Sequence, residues 1–358
     1  MTTGRIKTVV VTGAAGTVGN YVVPLLEAQG MRVIASDLTP KGIPVPVRGE
    51  VRPGDLRDQE FVDGLVKKAD AVIHTAAVLD VGATPRTLHE VNVKAVSSLL
   101  KAARAAQLQR FVHLSSATLY RSDGPTPLDE DAPIEARGDY GHTKLEAENL
   151  VRATEGPPTW TILRPAPLYG RRGRHYAASL LAVGPIMRLV TPVLPRPAGG
   201  PIATLVHAED VARAAVFVLT REDCANQIFN VADEDAMSLG DRVTETLRAY
   251  GLPTVGAGSL PRPVLDRLAK LAALPGAYHA SDRAALTAWR LVVLRHGLKS
   301  ALRVRLDQEA LSLLHDDLVV DASRLRALGW LPRYPRFTEG WRQVLRWYQA
   351  ERWVPRYA

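Results

Sequence analysis

Two residues one helical turn apart, Tyr140 and Lys144, carry the strongest chemical suggestion in this sequence. The stretch Tyr140-Gly141-His142-Thr143-Lys144 opens an apparent helix running on to Leu150, and its i, i+4 spacing puts both side chains on one face. A phenol that ionises near pH 10 is a poor base at neutral pH. An ammonium about 5 Å away, at an effective dielectric of about 20, favours the phenolate by roughly 3 kcal/mol, or about two pKa units. That brings the tyrosine into the range useful for general acid–base work. Ser115-Ser116-Ala117-Thr118 closes the strand-like run Arg110 to Ser115, and open α/β sheets place their ligands at such strand ends. One of these hydroxyls can hold a carbonyl oxygen. Taken singly, the residues read as a half-buried tyrosine, a surface lysine and turn-capping serines; their order along the chain makes the case.

The elements that must position them begin at the N-terminus. Val9-Val10-Val11-Thr12 is a buried-type strand, and Gly13-Ala14-Ala15-Gly16-Thr17-Val18-Gly19 is a glycine-rich turn into a helix. Gly13 permits the turn, Gly16 admits a pyrophosphate and Gly19 lets helix and strand approach. The helix start offers free N–H groups to phosphate. Asp37, at the end of the next strand (Arg32 to Ser36) and 18 residues past Gly19, suits the adenosine ribose hydroxyls and opposes a 2′-phosphate. NAD is expected over NADP, with Lys41 close enough to matter. Asp55, in Gly54-Asp55-Leu56, can hold the adenine amino group, and Ala76 and Ala77 after Thr75 leave room for a flat cofactor.

Further strands are predicted at Ala71 to Thr75, Arg110 to Ser115, Trp160 to Arg164 and Gln227 to Val231, with helical stretches at Thr17 to Gln29 and Thr87 to Ala106. This alternation predicts an α/β fold: a Rossmann-type doubly wound parallel sheet with a smaller, mostly helical C-terminal substrate region. Residues 1–170 form the nucleotide-binding domain in this reading. Residues 171–358 form a partly interleaved substrate region, with strands near 204–207 and 227–231 rejoining the core sheet.

The ordered set resembles the extended short-chain dehydrogenase/reductase family over roughly residues 6 to 235: a TGxxGxxG turn, an acid after the second strand, a strand-end serine and YxxxK. The resemblance implies an NAD-dependent enzyme with Tyr140 as acid/base, Lys144 as its activator and ribose ligand, and Ser116 rather than Ser115 orienting the substrate. It also implies cofactor contacts from Gly13, Ala15, Gly16, Thr17, Val18, Gly19, Asp37, Asp55, Leu56, Thr75, Ala76, Ala77, Asn92, Ser115 and Pro165. Thr118, Pro167 and Arg174 are expected on the substrate side. His207-Ala208-Glu209-Asp210-Val211 resembles a segment bordering the substrate pocket, where Asp210 equally suits a helix cap. Dimers through the nucleotide domain are common in the family.

Within the family, Ala117 and Thr118 stand where dehydratases carry an Asp-Glu pair, so dehydration is not expected. Pro167 replaces the Asn with which sugar-nucleotide epimerases contact a diphosphate. Arg171, Arg172 and Arg174 can still grip one, the plainer alternative being a solvated basic loop. The sequence therefore favours an NAD-dependent oxidoreductase interconverting a secondary alcohol and a ketone on an apolar, sterol-like or polyketide-like molecule. A sugar-nucleotide epimerase with tightly held NAD is the alternative, and a non-catalytic dinucleotide sensor or scaffold the third.

Composition bounds the rest. The chain has 358 residues, 46% hydrophobic and 23% charged, enough to bury a substantial core and too apolar for wholesale disorder. Its 45 Lys and Arg against 37 Asp and Glu favour anionic ligands or membrane surfaces; nucleic acid is not expected. A lone cysteine, Cys224, excludes an intrachain disulfide, and the nine histidines lack ligand spacing, so no metal is expected. No signal-like start and no long apolar run predict a cytoplasmic protein. Between Pro261 and Arg305, nine Lys or Arg against two Asp are interleaved with Leu265, Leu268, Leu271, Leu286, Trp289 and Leu294. That region fits a peripheral membrane contact, a lid, or a core-packed helix with a wet basic face.

Overall fold

The computed structural model describes residues 5–46, 48–79, 83–121, 126–173, 176–259, 275–302 and 316–357, with isolated positions 261, 263, 267 and 304. The apolar runs of the first half become β1 (Thr8–Thr12), β2 (Arg32–Ser36), β3 (Gly49–Val51), β4 (Ala71–His74), β5 (Arg110–Leu114) and β6 (Thr159–Pro165). With the strand Gln227–Val231 they form one seven-stranded sheet in the order Gln227–Val231, β6, β5, β4, β1, β2, β3, all parallel. The helices between them are α1 (Gly19–Ala28), α2 (Gln59–Val66), α3 (Pro85–His89), α4 (Ala95–Ala105) and α5 (Gly138–Arg152). The fold is therefore the doubly wound α/β sheet that the sequence predicts.

β1 shows why a near-continuous apolar run is needed. Val9 and Val11 point into one hydrophobic layer and Val10 into the other, all of them fully buried. Each such side chain contributes about 1.5–3 kcal/mol by leaving water. Strand order reverses between β1 and β4, and that switch point opens a crevice at the carboxyl ends of the strands. The ends of β1, β4, β5 and β6 deliver Gly13, Thr75, Ser115 and Ala166 to it.

Two expectations change. Residues 204–207 do not rejoin the central sheet: Ile202–Thr204 pairs antiparallel with Ala236–Ser238, and Val206–His207 pairs with β7 (Leu168–Tyr169) in a two-stranded ladder. The predicted helix Thr87 to Ala106 is interrupted by a π-helical turn over Glu90–Lys94, a feature with one extra residue per turn that periodicity alone does not announce. Pro24 is accommodated inside α1. The apolar stretch from Ala177 forms the helix Tyr176–Met187, and among the described residues no helix is long and apolar enough to cross a membrane.

Candidate active site

The glycine turn packs directly on the end of β4. Gly13 has φ +70°, and a Cβ there would lie 2.6 Å from the Ala76 backbone nitrogen. A Cβ on Gly19 would lie 2.2 Å from the Gly13 carbonyl oxygen, so helix and turn meet only without a side chain. Thr75 fastens the two strand ends: its hydroxyl donates to the Thr12 carbonyl at 2.8 Å. Beyond the turn, α1 begins with Val18 as N-cap and no side-chain cap, the Asn20 and Tyr21 N–H groups turning to the Gly16 and Val18 carbonyls. Asp37 accepts from the Ala15 N–H at 3.0 Å and the Leu38 N–H at 2.8 Å, which holds its carboxylate against the turn. An uncapped helix start, a turn stripped of side chains and a carboxylate at its rim fit a dinucleotide. Gly16, Thr17, Ala76 and Ala77 lie partly or fully exposed around it, and Val18 is buried.

Asp55 has a partner within the protein. Its carboxylate forms an ion pair with Arg57, Nη2 to Oδ2 at 2.5 Å, and that guanidinium holds the carboxyl below its usual range. Adenine recognition there would have to share the carboxylate with Arg57. Leu56 is half-buried beside it.

On the other side of the crevice, α5 carries Tyr140, half-buried near its start, and Lys144, buried one turn later. Lys144 Nζ donates to the carbonyl of Leu114, the last residue of β5. Burial lowers its ammonium from the usual 10.5 to about 8, while the Glu148 charge opposes that shift. Beneath it His74 and His113, paired across β4 and β5, stack with ring centroids 5.6 Å apart. Burial keeps both neutral: His74 is pushed down to about 3, and Thr12 Oγ1 lies 2.7 Å from its Nδ1.

The two serines after β5 take different directions. The Ser115 hydroxyl donates to Glu148 Oε2 at 2.7 Å in the core, whereas Ser116 Oγ lies 2.8 Å from Thr118 Oγ1 and accepts from the Thr118 N–H at 3.2 Å. Ser116 thus caps a short 3₁₀ turn, Ala117–Leu119, and stays at the strand end. Glu148 also takes Arg164, from β6, through Nε at 3.1 Å and through a second bond from Nη2 to Oε1. Arg164 continues to the Tyr120 hydroxyl at 3.0 Å and the Glu130 carbonyl at 3.1 Å, and Tyr120 donates to Asn230 at 2.6 Å.

Asn92 sits in the π turn. Its Oδ1 accepts from the Val78 N–H at 2.8 Å, and its Nδ2 donates to the Val78 carbonyl at 3.0 Å and to Thr143 Oγ1 at 3.1 Å. Pro165 pairs with Val231 in the sheet, and Pro167 is buried with its carbonyl accepting from Val206.

Two arginines of the cluster are held by the protein itself. Arg172 Nη1 donates to the Gly42 carbonyl at 2.7 Å, and the Arg171 guanidinium lies 5.9 Å from the centre of the Tyr21 ring. Arg174 lies outside the described residues. Asp210 is not the helix cap: His207 caps that helix through Nδ1, and Asp210 accepts instead from the backbone of Arg333 and Tyr334. An open cavity of about 460 Å³ against Arg196, Met237, Thr244 and Arg248 shares no residue with this set.

Sequence reasoning passed over Glu148 and the two histidines. The signal for Glu148 was present, since it lies at i+4 from Lys144 and i+8 from Tyr140 on the same helix face. Nothing in the sequence marks His74 and His113 as partners, because their stacking depends on strand register.

Residues 9–232 match the family model described as the NAD dependent epimerase/dehydratase family. The chain is 30% identical over 270 residues to the low-salt glycan biosynthesis protein Agl12 of Haloferax volcanii, covering 68% of this chain and 82% of that protein. It is 31% identical over 177 residues to the 4-hydroxy-2-methyl-3-oxo-4-farnesyl-3,4-dihydroquinoline-1-oxide ketoreductase of Stigmatella aurantiaca, spanning 53% of that relative. The UDP-glucose 4-epimerase of Thermus thermophilus, solved in complex with NAD, shares the fold with a TM-score of 0.68 and 21% identity, over 96% of this chain and 99% of that one.

Proposed function

The chain belongs to the NAD dependent epimerase/dehydratase family, and from that premise we propose that it is an oxidoreductase interconverting a secondary alcohol and a ketone on an apolar, sterol-like or polyketide-like small molecule. Its cofactor is NAD, and residues 171–358 supply the substrate side in this reading. The observation that carries it is Tyr140 one helical turn before a Lys144 that is buried against the end of β5, near a serine, Ser116, that remains at the strand end.

NAD, when bound, accepts or returns the hydride at the carbinol carbon. Ser116 donates a hydrogen bond to the substrate oxygen and fixes its position. Tyr140 takes the hydroxyl proton in oxidation and gives it back in reduction, and Lys144 favours the phenolate while binding the ribose. Asp37 and the uncapped start of α1 hold the adenosine ribose and pyrophosphate.

Two features favour net redox chemistry over epimerisation of a sugar nucleotide. Pro167 offers no side-chain amide to a diphosphate, and Arg172 is engaged at the edge of the glycine turn. The ketoreductase relative, whose name includes a farnesyl chain on its substrate, supports an apolar substrate.

The test is absorbance at 340 nm with NADH and a panel of ketones, with Tyr140→Phe alongside. Turnover should fall by about 10²–10⁴ in the variant. Equal turnover of both proteins would remove Tyr140 from the chemistry, and sugar-nucleotide conversion without an absorbance change would favour the epimerase.

We also propose that the basic C-terminal part meets an anionic membrane surface. In the helix Pro275–His296 the exposed positions from 283 to 295 include Arg283, Arg290, Leu291, Leu294 and Arg295 and no acid. Leu291 is 53% and Leu294 78% exposed. Apolar side chains among arginines suit anionic headgroups. Leu265, Leu268 and Leu271 of the expected stripe lie outside the described residues.

A further inference from the structure

Tyr140, Lys144 and Glu148 lie at successive i, i+4, i+8 positions of α5, with the phenol at the crevice and the carboxylate deepest. Glu148 is fully buried and Arg164 is 1% exposed, yet neither carboxylate oxygen is left without a donor. Arg164 and Ser115 hold this buried carboxylate one helical turn from Lys144, on the same face of α5. We propose that Glu148 is a positioning residue that keeps Lys144 in its ammonium form, with Arg164 and Ser115 fixing the carboxylate where it can do so. The proposal deepens the reading of Tyr140 and Lys144 as the acid–base pair and rests on it.

The groups around Lys144 leave Glu148 as the counterweight. From β4 and β5 the titratable neighbours are His74 and His113, both neutral through burial, so neither repels the ammonium nor supports it. From its own helix come Tyr140 and Glu148. From β6 Arg164 reaches it through the carboxylate it pairs with. Burial alone drives Lys144 toward the neutral amine, and Glu148 is the group that opposes this. A neutral Lys144 could still donate to a ribose hydroxyl, but it would no longer stabilise a phenolate at Tyr140.

The test reads Lys144 directly, in protein without added cofactor, by the pH dependence of its Cε resonance in protein labelled with ¹³C at lysine. The resonance is assigned by its loss in Lys144→Arg. In the unaltered protein the midpoint is expected at about 8. In Glu148→Gln it should move down by about one unit, the size of shift a neighbouring opposite charge produces. A merely structural role predicts the reverse, since a loosened core rehydrates Lys144 and moves its midpoint up toward the ordinary value near 10.4. An unchanged or raised midpoint overturns the proposal. Should Glu148→Gln not fold, the double change Glu148→Gln with Arg164→Met removes both members of the buried ion pair, so that no guanidinium is stranded; a lower midpoint again supports the proposal and an equal or higher one sinks it. Because nothing here reads turnover, a full-activity Tyr140→Phe would overturn the catalytic reading and leave this result standing.

Discussion

Ser115 and Ser116 are neighbours in the chain with opposite hydrogen-bond directions: Ser115 donates inward to Glu148 at 2.7 Å, and Ser116 accepts from the Thr118 N–H at 3.2 Å. Adjacent residues at a strand end alternate between faces, so one hydroxyl enters the core and the other stays at the crevice. Ser116→Ala should therefore lower kcat by about 10²–10³, the usual loss for one donor to a reacting oxygen, with melting temperature nearly unchanged. Ser115→Ala should instead cost about 1–3 kcal/mol of stability by removing a buried donor to a charged acceptor, with turnover altered only a few-fold. Denaturant unfolding and steady-state rates on both variants check this, and a reversal of the two patterns would exchange their roles.

Asp37 accepts from the Ala15 N–H at 3.0 Å, so in the proposed reading cofactor choice and the shape of the glycine turn meet at one carboxylate. Asp37→Ala should weaken NAD binding about tenfold or more while NADP binding holds or improves, as the carboxylate that opposes a 2′-phosphate is gone. Calorimetric titration with each cofactor measures the ratio. An unaltered preference would assign the choice to another residue.

Acid should destabilise the protein through its buried histidines. His74 binds its proton near pH 3 in the folded chain and near 6.5 when unfolded, so the unfolded chain takes up more protons between those values. Stability therefore rises with pH through that window and is lost on acidification, at about 1.4 kcal/mol per pH unit for one such group. His207, also held at about 3 by burial, acts in the same direction. His74→Gln, whose amide can serve Thr12 as donor or acceptor, should show a shallower fall in melting temperature between pH 6 and 4. Parallel curves for the two proteins would mean that other groups govern acid unfolding.

For the membrane surface, sedimentation with phosphatidylglycerol-rich vesicles should carry the protein down at low salt and release it at high salt. Replacing Leu291 and Leu294 together by Ser should weaken binding at every salt concentration. Replacing Arg290 and Arg295 by Ala should remove the salt dependence. No sedimentation at low salt ends that proposal.

Much of this was legible in the chain, for definite reasons. β1 is a run of valines, buried on both faces, and the glycine spacing reports contacts so close that Gly13 and Gly19 admit no Cβ. Those are local facts and local sequence carries them. The membership of Gln227–Val231 in the central sheet was also readable, since a strand of that composition needs two covered faces. What escaped depends on distant residues meeting. The Arg57 hold on Asp55 could have been suspected from their separation of two; the reach of Arg172 to Gly42, 130 residues away, could not. The same holds for Asp210, whose partners lie more than 120 residues downstream and turn an expected cap into a tether for the closing segment.

Asn92 joins Val78 as a strand would, giving and receiving through one side chain, while its second amide hydrogen grips Thr143 between the tyrosine and the lysine. An aspartate could receive but not give, a leucine could do neither, and a glutamine would overreach by a methylene. The segment after β4 and the start of α5 are thereby joined through one side chain.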